Sequence, residues 1–312
     1  MGQATIILEK EEIEKMKTYY YNYLEKSPQG AIFRARTDNA VITAYRSGKI
    51  LFQGNNIDTE INKWKKGHGV PKNTSTTKRK TANTSSYIPP SSVLTGNQIG
   101  SDESGTGDYF GPVTTAAVYI TKDQITLLKE LGIQDSKAIN DEVVQKLAKD
   151  IAMMNIPYSL MILHNDKYNS LQQRGWSQGK MKAMLHHSTI NQLIKKIDNA
   201  PYEGIVIDQF CQPSVYINYL KSEQKYLNDK TYFMTKAENH AIAVAAGSVI
   251  ARASFLQEMK RLSHEIGIDL LKGASTKVDQ LIARIIKEKG HSTLERIAKL
   301  HFKNTEKAEK YL

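Results

Sequence analysis

Apolar positions recur along the chain with two periods, and the switches between them outline the elements. Ile13, Met16, Tyr20 and Leu24 repeat at three- and four-residue steps, which predicts a helix over 11–26. A strand is expected before it, over 5–8, and Ser27-Pro28-Gln29-Gly30 stops it. Three β-type runs follow at 31–36, 41–46 and 49–53. Asp38-Asn39 and Ser47-Gly48 separate them as hairpin-type turns. A second helix over 57–66 closes a small α+β unit.

Beyond residue 96 the pattern changes to alternating strands and helices. Strands are expected over 98–102, 113–120, 158–164, 204–209 and 231–235. Helices are expected over 122–131, 141–153, 181–197, 238–259, 278–287 and 293–300. This order predicts an α/β domain, a mixed sheet with helices packed on both faces. Between the two units apolar residues almost vanish, and Ser, Thr, Asn and Pro dominate. Such a run buries too little surface to offset its ordering entropy, so it reads as a linker. The expected division is a small N-terminal domain over 1–70, a basic Ser/Thr/Pro-rich linker over 71–95 and a larger domain over 96–312.

Composition changes this picture in one respect. The balance of 40% hydrophobic and 24% charged residues is that of a globular protein, but the formal net charge is +11. An excess of that size attracts polyanions, nucleic acid first among them. Lys63, Lys65, Lys66, Lys72, Lys78, Arg79 and Lys80 lie in a stretch with no Asp or Glu, either a solvated linker or a tether for phosphates. Arg34, Arg36, Tyr45 and Arg46 on the first unit's strands offer a second contact surface, or ordinary solvated positions. The one cysteine, Cys211, excludes an internal disulfide and a cysteine zinc cage. No run approaches the ~20 apolar residues of a membrane span, and the N-terminus lacks a signal-peptide pattern. A cytoplasmic, soluble protein without membrane contact is expected.

Three acidic sites, four residues in all, carry candidate chemistry. Asp102 and Glu103 follow the apolar start of a strand and precede Gly105-Thr106-Gly107. Adjacent acids repel unless a cation or a basic group offsets them. Side chains alternate along a strand, so the two should diverge unless the chain twists or bulges. Asp208 directly follows the apolar strand 204–207, at the sheet's carboxyl edge where α/β sites form. Glu238 follows strand 231–235 and is expected to open the long helix. Each also has a plain reading: a strand-capping turn, a helix N-cap near Pro213, and a first-turn acid favoured by the helix dipole. The two glycines let backbone N–H groups approach phosphate oxygens, or simply make a hairpin turn. Lys137, in Asp135-Ser136-Lys137, is a candidate to balance negative charge.

Together the motifs resemble the type 2 ribonuclease H family, and more closely ribonuclease HIII. The carrying segments are DESGTGDYFGPV (102–113), DSK (135–137), GIVIDQF (204–210), TKAENHAIAVAAGSVIARASFL (235–256) and AKLHFKNTEKA (298–308). The small unit before the linker resembles the TATA-binding-protein-like domain that marks ribonuclease HIII. The resemblance implies an RNase H-like fold and hydrolysis of the RNA strand of RNA–DNA hybrids, leaving 5′-phosphate and 3′-hydroxyl ends. It implies two divalent ions, Mg²⁺ or Mn²⁺, and maps the family's four catalytic acids onto Asp102, Glu103, Asp208 and Glu238. Gly105, Thr106, Gly107 and Lys137 are implied substrate contacts, with Thr106 standing where the family has a basic residue. No obligate protein partner is evident, and a monomer is expected. Two other readings remain: ribonuclease HII-like incision at single ribonucleotides in DNA, and a non-catalytic nucleic-acid clamp.

Overall fold

The computed structural model describes residues 2–28, 31–65, 87–133 and 140–312. Lys137 and residues 71–86 of the expected linker lie outside them. The chain divides into two units, Met1–Arg79 and Lys80–Leu312.

The first unit runs β1 (Gly2–Ile7), α1 (Lys10–Tyr19), β2 (Leu24–Glu25), β3 (Ala31–Arg36), β4 (Ala40–Tyr45), β5 (Lys49–Gly54) and α2 (Ile57–Lys65). Its strands form one antiparallel sheet in the order β1-β5-β4-β3-β2. One face is buried under the helices: Phe33, Ala35, Ile42, Ala44, Ile50 and Phe52 meet Ile13, Met16 and Ile61. Helix α1 stops at Tyr19, seven residues before the predicted end. Tyr20 turns inward, and its hydroxyl donates to the buried Glu60 at 2.6 Å. Leu24 and Glu25 then pair with Ala35 and Arg34 as an edge strand. Tertiary pairing here overrides a helical period.

The second unit opens on α3 (Ser91–Thr95), β6 (Gln98–Ser104), β7 (Val113–Ile120), α4 (Gln124–Glu130), α5 (Asp141–Met153) and β8 (Tyr158–Leu163). It continues through α6 (Asn165–Gln173), α7 (Gln178–Lys196), β9 (Gly204–Asp208), α8 (Pro213–Ser222), β10 (Thr231–Met234) and α9 (Ile242–Ile266). It closes on α10 (Thr276–Lys289), α11 (Thr293–Ile297) and α12 (Asn304–Ala308). The sheet order is β10-β9-β6-β7-β8, with β6–β9 and β9–β10 parallel and the other pairs antiparallel. It is the expected mixed sheet with helices on both faces. Ala116, Val118 and Ile120 pack against α4, α5 and α9; Ile99, Ala117, Tyr119, Ile205 and Ile207 pack against α7 and α8.

Residues 87–95, assigned above to the linker by their Ser and Pro content, are packed onto this unit. Tyr87 meets Phe233 edge-on at 6.0 Å, and Val93 is buried against Val206, Ala237 and Val244. Burial of Val93 contributes about 1.5–3 kcal/mol toward holding this polar stretch in place.

Candidate active site

Strand β6 carries the first two acids, and it runs two residues further than predicted, through both. Its residues therefore alternate strictly. Gly100 and Asp102 face α9, whereas Ser101 and Glu103 face α7. A Cβ at Gly100 would lie 2.1 Å from the Val244 backbone nitrogen. Only glycine admits so close a helix, and the contact brings Ser248 of α9 to the Asp102 carboxylate. The pair diverges as alternation requires.

Asp208 ends β9. Ser101 pairs with Ile207 in the parallel register, so the following residues, Asp102 and Asp208, stand side by side at the sheet's carboxyl edge. Asp208 Oδ1 accepts from the Ala237 backbone N–H at 2.9 Å. It does not cap α8, whose N-cap is Gln212. Glu238 sits on a 3-10 turn, Ala237–Asn239, and is 2% exposed. It does not open the long helix as expected, because α9 begins only at Ile242. The turn follows Lys236, whose φ of 54° breaks the chain direction after β10.

The two adjacent acids have opposite electrostatics. Burial, then the negative charges of Glu103 and Asp208, push Asp102 up to about 7, against bonds from Ser248 and from the Glu103 N–H at 2.8 Å. Burial also works against a charged Glu103. There, however, the bond to His186 and the positive charges of His186 and Lys182 prevail and hold it down to about 2. Lys182 Nζ stands 2.7 Å from Glu103 Oε1, and His186 Nε2 stands 2.8 Å from Oε2. Lys182 and His186 are one helical turn apart on α7 and share a face. Phe210 stacks on His186 at 5.5 Å and lies under the Lys182 ammonium at 4.0 Å. Sequence reasoning missed both residues. Their only signal was an i, i+4 spacing in a helix that contains several Lys and His.

His186 Nδ1 is also 2.7 Å from Ser101 Oγ, giving a serine–histidine–carboxylate connectivity. Ser101 is fully buried and its hydroxyl bonds the Ala116 carbonyl at 2.9 Å. It has no path to a substrate, and the trio is a packing network that fixes Glu103.

Beyond β6 the chain turns through Gly105-Thr106-Gly107. Gly105 has φ +87°, and a Cβ there would meet the Pro112 carbonyl at 2.3 Å and the Phe255 ring at 2.7 Å. Gly107 is exposed, with nothing within 4 Å of its would-be Cβ. The turn's tip is thus open while its base is fixed.

The donor set is hard oxygen. Asp102 and Asp208 are close enough for each charge to disfavour the other, and a divalent cation relieves that repulsion. The residues therefore fit such an ion. Among the described residues no three acidic, His or Cys side chains are already gathered as a ready ligand set. Glu103 faces the other side of the sheet, engaged by Lys182 and His186.

A mixed sheet with paired acids at its carboxyl edge, beside an open glycine turn, defines a metal-dependent phosphodiester hydrolase of the RNase H-like class. The profile of the family "Ribonuclease HII" matches residues 99–305, and one described as a domain of unknown function (DUF3378) matches residues 3–78. A ribonuclease HIII of Oceanobacillus iheyensis is 55% identical over 312 residues, all of both chains. One of Bacillus subtilis is 46% identical over 311 residues, 99% of this chain and 98% of that protein. The solved Bst-RNase HIII in complex with Mn²⁺ superposes with a TM-score of 0.67 at 38% identity, covering 99% of this chain and 98% of that one. The chain belongs to the ribonuclease HII family and, over its full length, to its ribonuclease HIII members. It is a ribonuclease H, an endonuclease.

Proposed function

We propose that this chain hydrolyses the RNA strand of RNA–DNA hybrids using two divalent cations, Mg²⁺ or Mn²⁺, and leaves 5′-phosphate and 3′-hydroxyl ends. The carrying observation is the side-by-side placement of Asp102 and Asp208, with Asp102 driven toward its neutral form by burial and by its acidic neighbours. Asp102 and Asp208 would hold the ions most directly, with Glu103 and Glu238 completing the set. When bound, the ions supply an activated water and neutralise charge on the phosphate and leaving oxygen.

The protein's own groups do the rest. Asp102 is 4% exposed, which keeps bulk water from its carboxylate. Lys182 and His186 keep Glu103 ionised, so this acid needs no proton removed before it acts. The Gly105–Gly107 turn offers backbone N–H groups to the hybrid's phosphates, with the Thr106 hydroxyl where the family has a charge. Discrimination between RNA and DNA rests on the 2′-hydroxyl and the helix shape it imposes, so little base preference is expected. The first unit is read as a source of affinity, separate from the chemistry, over a domain boundary near residue 70.

An end-group analysis of cleaved hybrid tests this reading. Fragments with 3′-hydroxyl ends, formed only with a divalent cation present, are expected. Cyclic-phosphate ends, or cleavage in excess EDTA, would exclude it.

A further inference from the structure

The segment Ile297–His301 contains a buried lysine that the chemistry above does not use. Lys299 is fully buried, and its ammonium donates to the carbonyls of Asp108 at 2.8 Å and Gly111 at 2.5 Å. Its backbone N–H donates to the Tyr109 carbonyl at 2.8 Å, and Gly111 N–H returns to the Ile297 carbonyl at the same distance. An unpaired ammonium in a protein interior is costly, and its burial pulls Lys299 down to about 7 despite the nearby Asp108. What this buried donor accomplishes is to turn two carbonyls of one loop inward.

A second donor does the same at the loop's tip. Gln178, the first residue of α7, donates through Nε2 to the Thr106 carbonyl at 2.9 Å and to the Tyr168 hydroxyl at 3.1 Å. Tyr168 is buried, and its ring lies 6.0 Å from the Lys299 ammonium. Lys299, Tyr168 and Gln178 thus form one connected support beneath residues 106–111.

A trans peptide unit points its C=O and N–H in opposite directions. The Thr106 carbonyl and the Gly107 N–H belong to one such unit. With the carbonyl drawn inward to Gln178, the N–H is aimed outward from an exposed residue. Among the described residues no acceptor takes it. A fixed outward N–H at a glycine suits a phosphate oxygen.

We propose that Gln178 and Lys299 are positioning residues that lock the carbonyls of the 105–111 loop inward, so that the Gly107 N–H is presented to a phosphate of the hybrid's backbone. The inference rests on the reading of this chain as a hybrid nuclease. Its energetic signature is uniform binding, because a phosphate away from the reacting atoms is held equally in ground and transition states.

The test is steady-state kinetics on a hybrid with Gln178→Leu and Lys299→Met, together with Tm and Mn²⁺ affinity by calorimetry. Gln178 is half-buried at a helix start, so its variant is expected to fold with an unchanged Tm. Its KM should rise about tenfold with kcat within about twofold, the pattern of lost uniform binding. Mn²⁺ affinity should not move. Lys299→Met should shift KM the same way if it folds, and Gln178→Leu decides alone if it does not. An unchanged KM in folded Gln178→Leu would overturn the proposal. So would a matching fall in Mn²⁺ affinity, which would place the effect at the acids. Wild-type protein that fails to cut hybrid would instead sink the functional reading on which the proposal rests.

Discussion

The two units each contain a five-stranded sheet, and the sheets do different things because they are covered differently. Among the described residues of the first unit, helices cover one face of its sheet. Its other face carries a row from Arg34 through Thr43 and Leu51 to Thr5, with Arg36 beside it. Half-exposed basic side chains make a contact surface but cannot hold an acid far from its solution behaviour. The second sheet is covered on both faces. There a carboxylate at the strand edge is stripped of water, and its pKa is set by what the neighbouring helices bring. Asp102 meets other acids and is pushed up, while Glu103, one residue on and facing the other way, meets Lys182 and His186 and is pushed down. Burial on both sides turns strand alternation into two chemical environments.

If chemistry belongs to the second sheet, removing its edge acid should have the largest effect. Asp208→Asn should lower hybrid cleavage by about 10³-fold or more, the scale of several kcal/mol of lost transition-state stabilisation, with hybrid affinity nearly kept. A single-turnover assay with a parallel binding measurement checks both. If affinity belongs to the first sheet, deleting residues 1–70 should weaken hybrid binding by about 10–100-fold and flatten its dependence on salt. Unchanged affinity or an unchanged salt slope would erase the comparison.

Two smaller effects sharpen it. Burial lowers the folded pKa of Lys299 to about 7, well below that of a solvated lysine, so between those values the unfolded chain binds more protons. Its contribution to stability therefore rises with pH above about 7. Thermal melts from pH 7.5 to 9 should show a rising component in the wild type that Lys299→Met lacks. On the first sheet, Glu25 pairs with Arg34 at 3.3 Å and with Arg36 at 2.5 Å, partly neutralising the open face. Glu25→Gln should tighten hybrid binding about two- to threefold and steepen its salt slope, since exposed pairs are worth under about 1 kcal/mol. A weaker complex would mean that these arginines do not face the substrate.

Much of this was legible from periodicity. Strand β7 and helix α5 fall where apolar spacing puts them, and the divergence of Asp102 and Glu103 follows from strand alternation alone. Helix α6 was missed because its buried face is polar: Asn165, Tyr168 and Asn169 share one side, with Asn165 donating to the Gly111 carbonyl and Asn169 to those of Glu295 and Ala298. Helix α8 starts at Pro213, a helix-start signal, and its short buried stripe of Tyr216 and Leu220 went unread. The pairing of Asp102 with Asp208 depends on β6–β9 register, and the hold on Glu103 depends on α7 crossing that strand. Contacts of that range leave no local trace in a single sequence.

The central claim is tested most directly by mapping cuts in an end-labelled RNA strand paired with DNA, beside a DNA duplex carrying one ribonucleotide, with Mg²⁺ and with Mn²⁺, for wild type and Asp102→Asn. The expected result is cleavage at many positions along the hybrid's RNA by the wild type and none by the folded variant. Preferential incision of the single-ribonucleotide duplex, or a near-normal hybrid pattern from Asp102→Asn, would contradict it.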